Sequence, residues 1–139
     1  MTHETILEEL DARRARALAM GGAEKLAARK AQGHLNARER LDTLLDAGSF
    51  VESGLFAAGI RAEVRDRTPA DGKIAGYGSI EGRRVAVVSN DFTVLGASSS
   101  AINGKKIRHV KEVATRRGFP LVFLGESTGA RMPDRMGAA

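Results

Sequence analysis

Two short runs of small residues are where this chain could do chemistry with its backbone: Gly96-Ala97-Ser98-Ser99-Ser100 and Glu126-Ser127-Thr128-Gly129-Ala130-Arg131. Small side chains let backbone N–H groups come close to a ligand, and a helix start behind such a loop adds unpaired donors. Two converging N–H groups are what an oxyanion hole requires, where negative charge develops on a carbonyl oxygen. The same residues also suit tight turns with no chemical task, and residue type alone leaves both readings open. Other chemistries find less. With no cysteine there is no thiolate nucleophile and no thiolate metal site. His3, His34 and His109 are spaced unlike metal ligands, so surface positions are expected for each.

The elements that must carry the two loops follow from periodicity. Ile6, Leu7, Leu10, Ala17 and Leu18 fall near helical spacing, Gly21-Gly22 interrupts, and Ala23 to Ala31 resumes up to Gly33. Asn36 followed by Glu39 is a capping-box start for a helix whose apolar face is Leu41, Leu44 and Leu45, with Gly48 as the expected C-terminal cap. Residues 1–48 thus read as a helical arm whose apolar stripe packs on something else. Residues 61–68 are expected as a loop. Lys73 to Ile80 and Arg83 to Ser89 are β-favouring runs joined by a Glu81-Gly82 turn. The Gly96–Ser100 loop follows, then a helix from Ala101 to Arg117 stopped by Gly118 and Pro120. Leu121 to Leu124 is wholly apolar, as in a strand buried on both faces, and strand–helix–strand implies a right-handed crossover between parallel strands. Both loops then leave carboxyl ends of strands, where ligands collect in α/β units. Phe123 and Met132 are expected in the core.

The chain has 139 residues, 42% hydrophobic and 28% charged, an ordinary globular balance. No apolar run is long enough for a membrane helix, and Glu4, Glu8 and Glu9 argue against a signal or transit peptide, so a cytoplasmic protein is expected. The net charge of +5 is local. Residues 1–48 hold eight bases and eight acids, whereas Lys105, Lys106, Arg108, Lys111, Arg116 and Arg117 face only Glu112 within 103–117. Such a patch concentrates anions, and a solvated helix face would look the same. With 4% aromatics and no tryptophan, a nucleic-acid reader lacks its stacking residues.

Four segments in order sharpen the reading. Residues 39–52 (ERLDTLLDAGSFVE), 70–78 (ADGKIAGYG), 89–98 (SNDFTVLGAS) and 126–132 (ESTGARM) resemble successive motifs of the carboxyltransferase (beta) subunits of biotin-dependent acyl-CoA carboxylases, of propionyl-, acetyl- and methylcrotonyl-CoA type. The resemblance implies an α/β class, a partial crotonase-like domain of ββα units wound into a superhelix over 49–139, preceded by the helical arm. It implies that this half binds acyl-CoA, and that a second, homologous half, of another subunit, binds biotin carboxylated on a separate carrier protein. It implies a backbone oxyanion pair at Thr128 and Gly129 with Ala130 beside them, substrate contacts from Gly96, Ala97, Ser98 and Arg131, and no metal. The basic helix from Lys105 to Arg117 is expected to steer the CoA phosphates, with Lys105 and Lys106 as its substrate-binding residues. Expected partners are a biotin carboxylase or carrier subunit, and further copies or a chain supplying the other half.

Two departures qualify this. Thr128 replaces the first glycine of the family's pair, and Gly96–Ser100 replaces the commoner Gly-Gly-Ser-Leu-Gly, so the acyl group cannot be carried over. A helix is expected after the turn, where the chain closes on Gly137-Ala138-Ala139, and by itself the chain is expected to be inactive. Arg131 is also expected to brace the turn through a carboxylate such as Glu126. A non-catalytic CoA-binding or assembly module, and a decarboxylase-type carboxyltransferase, are the alternatives.

Overall fold

In a computed structural model, residues 2–132 and 134 are described. The helix expected after the turn falls mostly on positions 133 and 135–139, outside the described residues. Nine elements follow in chain order: α1 (His3–Leu18), α2 (Ala23–Ala31), α3 (Ala37–Leu44), β1 (Val51–Glu52), α4 (Ala62–Arg65), β2 (Lys73–Ile80), β3 (Arg83–Asn90), α5 (Ala101–Arg117) and β4 (Leu121–Leu124).

The sheet runs β1-β2-β3-β4. β2 and β3 form an antiparallel hairpin in register from Lys73–Asn90 to Ile80–Arg83. Its two-residue turn puts positive φ on both Glu81 and Gly82, the twist-matched type I′ form. Asp46 closes that turn from the arm: its carboxylate accepts the Glu81 and Gly82 N–H groups, each at 2.9 Å. β3 and β4 are parallel, with α5 as the crossover. α5 is bounded by a Ser100–Asn103 capping box and a left-handed Gly118.

β3 is the strand buried on both faces. Val85 and Val87 join Met20, Ala37, Leu41, Leu45, Ala70 and Ile74 on the arm side. Ala86 and Val88 join Ala75, Val110 and Ala114 under α5. The arm's stripe therefore has its partner in the sheet, through α3 above all. Several expectations are corrected. β4 is an edge strand among the described residues, not a fully buried one, because nothing pairs beyond it and Phe123 is 44% exposed. Met132 is exposed as well. α3 ends at Leu44, so Gly48 serves a later turn at φ +72 rather than the cap. Residues 61–68 contain the single turn α4, and β1 had no sequence signal at two residues.

Candidate functional site

Three backbone turns meet at one end of the hairpin. The first, Pro69–Gly72, carries consecutive left-handed residues: Ala70 at φ 51, Asp71 at 47 and Gly72 at 70. The second, Leu95–Ala97, repeats this with Leu95 at φ 44, Gly96 at 60 and Ala97 at 50. A non-glycine residue held left-handed costs about 1–2 kcal/mol, so four of them persist only where the surroundings over-determine the backbone. The surroundings do so. Asp71, fully buried, accepts from the Asn103 N–H at 3.0 Å and from the Ser100 hydroxyl, and Arg131 Nη1 donates to it at 2.6 Å. Asn103 Nδ2 reaches Asp71 O and Ser98 O, at 3.0 and 2.9 Å. Lys73 Nζ donates to Ala97 O at 2.7 Å.

The third turn, Ser127–Arg131, lies along the second. Thr128 N–H donates to Gly96 O at 2.9 Å, Ser99 N–H to Gly129 O at 2.8 Å, and Arg131 N–H to Ser99 O at 2.8 Å. Ser99 and Ala130 form an isolated parallel bridge. In such a bridge Ser99 uses its neighbours' groups at 129 and 131, so the N–H of Ala130 points away from it. That N–H has no acceptor among the described residues, and the residue is exposed. Gly129 N–H meets only the Ser127 hydroxyl, at 3.1 Å. Ala130 N–H is therefore the donor without an acceptor among the described residues, and Gly129 N–H can serve an incoming oxygen only by exchanging the Ser127 hydroxyl.

Thr128 is corrected as a donor: its N–H is spent on Gly96. Its side chain explains the departure from glycine. The positive φ of this turn falls on Gly129, at 112, so Thr128 needs no left-handed conformation. Its methyl and hydroxyl instead cover Gly96, where an added Cβ would stand 2.5 Å from Thr128 Cγ2.

Lys106 is corrected too. It is buried, and its ammonium donates to Ala70 O at 2.8 Å and to Lys73 O, bracing the first turn from within. It cannot steer a solvent-borne phosphate. Lys105, one residue earlier, is exposed. Burial pulls both Lys106 and Lys73 down to about 8, for Lys73 with Arg131 adding to the effect.

Arg131 is corrected in its partner and in its contact. The guanidinium is 6% exposed, donating to Asp71, to the Ser98 hydroxyl at 3.2 Å and to Asp134 at 3.4 Å. It braces the turn and offers no free nitrogen face to a substrate. Glu126 pairs instead with Arg29 of α2 and, at 3.4 Å, with Arg40 of α3. Gly96, Ala97 and Ser98 are brought against the turn, but their carbonyls are already occupied by Thr128, Lys73 and Asn103. Asp71, Asn103, Lys73 and the arm's arginines were missed by residue-type reasoning. The Ser100–Asn103 capping-box spacing is the one sequence signal that could have found any of them. No cluster of metal-ligating residues occurs among the described residues, and no helix there is long and apolar enough to cross a membrane.

Residues 28–137 match the family model "Carboxyl transferase domain". The chain is 43% identical over 132 residues to the propionyl-CoA carboxylase beta chain of Roseobacter denitrificans, covering 93% of this chain and 26% of that one. To the mitochondrial beta chain of Homo sapiens it is 38% identical over 136 residues, covering 94% and 25%. A transcarboxylase 12S crystal structure with methylmalonyl-CoA superposes at TM-score 0.90 with 37% identity, covering 98% of this chain and 27% of that chain. A Pseudomonas malonate decarboxylase structure gives 0.60 and 31%, covering 72% and 40%. The chain spans about a quarter of the length of the curated relatives it matches. Its fold is the crotonase-like α/β fold of these neighbours, and the chain belongs to the carboxyl transferase domain family, resembling the carboxyltransferase subunits of acyl-CoA carboxylases.

Proposed function

We infer that this chain forms the acyl-CoA side of a carboxyltransferase site. The observation that carries the reading is the exposed Ala130 N–H, without an acceptor among the described residues, beside the Gly129 N–H, whose one partner is the adjacent Ser127 hydroxyl. An acyl thioester losing its α-proton builds charge on the carbonyl oxygen as the enolate forms. Donors preorganised for that oxygen stabilise it at no reorganisation cost, by about 3–4 kcal/mol each. The enolate carbon then forms the new carbon–carbon bond to the incoming carboxyl group. By the family resemblance, carboxybiotin on a separate carrier would supply that group by cleavage of its ureido N–carboxyl bond, and the nitrogen so freed would take the α-proton. The residues of this chain fit a role limited to the thioester. Arg131 and Asp71 keep the turn in register, Thr128 covers Gly96, and Lys105 stands exposed for the CoA phosphates. A cytoplasmic location and pairing with a chain supplying the biotin half complete the proposal. The same donors would serve a decarboxylase, since an enolate precedes or follows the carboxyl transfer in either direction.

The test is NMR on the 139-residue chain with [1-13C]propionyl-CoA. Binding is expected to move the Gly129 and Ala130 amide resonances and to shift the carbonyl carbon downfield as it is polarised. Ala130→Pro, which lacks the N–H, is expected to abolish the carbonyl shift while the hairpin resonances stay. A carbonyl shift that survives in this variant sinks the assignment. Carboxyl transfer from carboxybiotin is expected only when a chain supplying the biotin half is present; a pure assembly module would gain none.

A further inference from the structure

The turn is exposed from Ser127 to Ala130, yet both of its ends are tied down. Its C-terminal end is fixed by Arg131 on Asp71, within the hairpin layer. Its N-terminal end is fixed from the helical arm. Arg29 and Arg40, which lie 97 and 86 residues away in sequence, both donate to the Glu126 carboxylate. The two arginines are themselves held. Arg29 stacks over the Phe92 ring at 4.8 Å from its centroid, and Arg40 Nη2 donates to Asn90 O at 2.7 Å. Asn90 Nδ2 in turn donates to Glu126 O at 2.9 Å, so backbone and side chain of one residue are gripped by one connected set. All three side chains of the cluster are at most 29% exposed, so the charges are partly withdrawn from solvent and weakly screened.

We propose that Arg29 and Arg40 are positioning residues, acting through Glu126 to fix the aim of the Gly129 and Ala130 N–H groups. The helical arm is then part of the site and not only a packing element. The proposal rests on the enolate reading above. Its physical basis is that misplacement of a stabilising group by about 1 Å can cost a hundredfold in rate. Backbone bonds to Gly96 and Ser99 join the middle of the turn to the neighbouring loop, and the arginines fix the residue through which it leaves β4. Fixing both ends leaves the middle free to meet substrate without leaving it free to move.

The experiment compares the chain with Arg29→Ala/Arg40→Ala, with Arg29→Lys/Arg40→Lys, and with Arg14→Ala, whose ion pair with Asp11 is exposed and remote from the turn. One readout needs no ligand: backbone 15N order parameters at Gly129 and Ala130. The other is the carbonyl shift of saturating [1-13C]propionyl-CoA. In the double alanine variant the order parameters are expected to fall from about 0.85 to below about 0.6, with hairpin and α5 amides unchanged, and the carbonyl shift is expected to vanish. The double lysine variant should restore most of both, because each arginine presents a single nitrogen to Glu126. Arg14→Ala should change neither. A turn that stays rigid without the arginines overturns the proposal whatever the ligand does. So does a loosened turn that still shifts the carbonyl fully. A loosened turn with no carbonyl shift even in the unaltered chain removes the enolate reading instead, and the site role with it. If the double alanine variant does not fold, Glu126→Gln removes the charge at nearly constant shape and is judged by the same outcomes.

Discussion

Asp71→Asn isolates the charge on which the site's framework turns. Asp71 is fully buried and Arg131 is 6% exposed, with Nη1 and Oδ1 at 2.6 Å. Asparagine has nearly the same shape and tolerates left-handed backbone, so the strain at φ 47 is unchanged. What is lost is the anion. Removing one partner of a buried ion pair costs about 3–5 kcal/mol, mostly for the charge left behind. Asp134 Oδ2, 3.4 Å from the same nitrogen, compensates in part. The amide nitrogen, however, must face either Arg131 or the donors Ser100 Oγ and Asn103 N–H. We expect a loss of about 3 kcal/mol. In urea, at a slope of about 1.5–2 kcal/mol/M, the midpoint falls by about 1.5–2 M. Arg131→Met should cost a similar amount, and the double variant much less than the two together, giving a coupling of about 2 kcal/mol or more. A single-variant loss below about 1 kcal/mol, or losses that simply add, would refute the view that this pair holds the three turns together.

Other outcomes follow from the same geometry. Gly96→Ala meets both a φ of 60 and Thr128 at 2.5 Å, so it should lose about 2–4 kcal/mol in thermal or urea unfolding; adding Thr128→Gly should return the steric part and leave the conformational part. Gly21→Ala would place a Cβ 2.2 Å from Thr93 O, and is expected to lift α1 and α2 from the site end, seen as faster proteolysis within residues 1–35. Lys106, lowered to about 8 in the fold against 10.5 unfolded, binds fewer protons folded than unfolded between those values. Its contribution is therefore least favourable below pH 8 and improves as pH rises toward 10.5. The stability difference between the chain and Lys106→Met, read from urea midpoints at pH 7 to 10, should move in favour of lysine; a flat difference would contradict the burial argument.

Local order was legible along the chain because it is written in local signals. The capping box at Asn36–Glu39, the Glu81-Gly82 turn and the left-handed Gly118 each act within a few residues, and each stands where spacing put it. The ordered motifs from Glu39 to Met132 carried the family, and the family carried the crotonase-like fold. The sequence did not determine which donors of the turn are free. Thr128 loses its N–H to Gly96 O, a partner 32 residues away, and Ala130 keeps its own because the Ser99 bridge turns it outward. Charge gave even less away. Lys105 and Lys106 are adjacent and alike in sequence, yet helical rotation sends one to solvent and the other under the Pro69–Gly72 turn, and Glu126 rather than Asp71 was the nearer carboxylate in sequence to Arg131. Periodicity and caps are properties of neighbours along the chain; the direction of an N–H group and the partner of a charge depend on segments that meet only when the chain has folded.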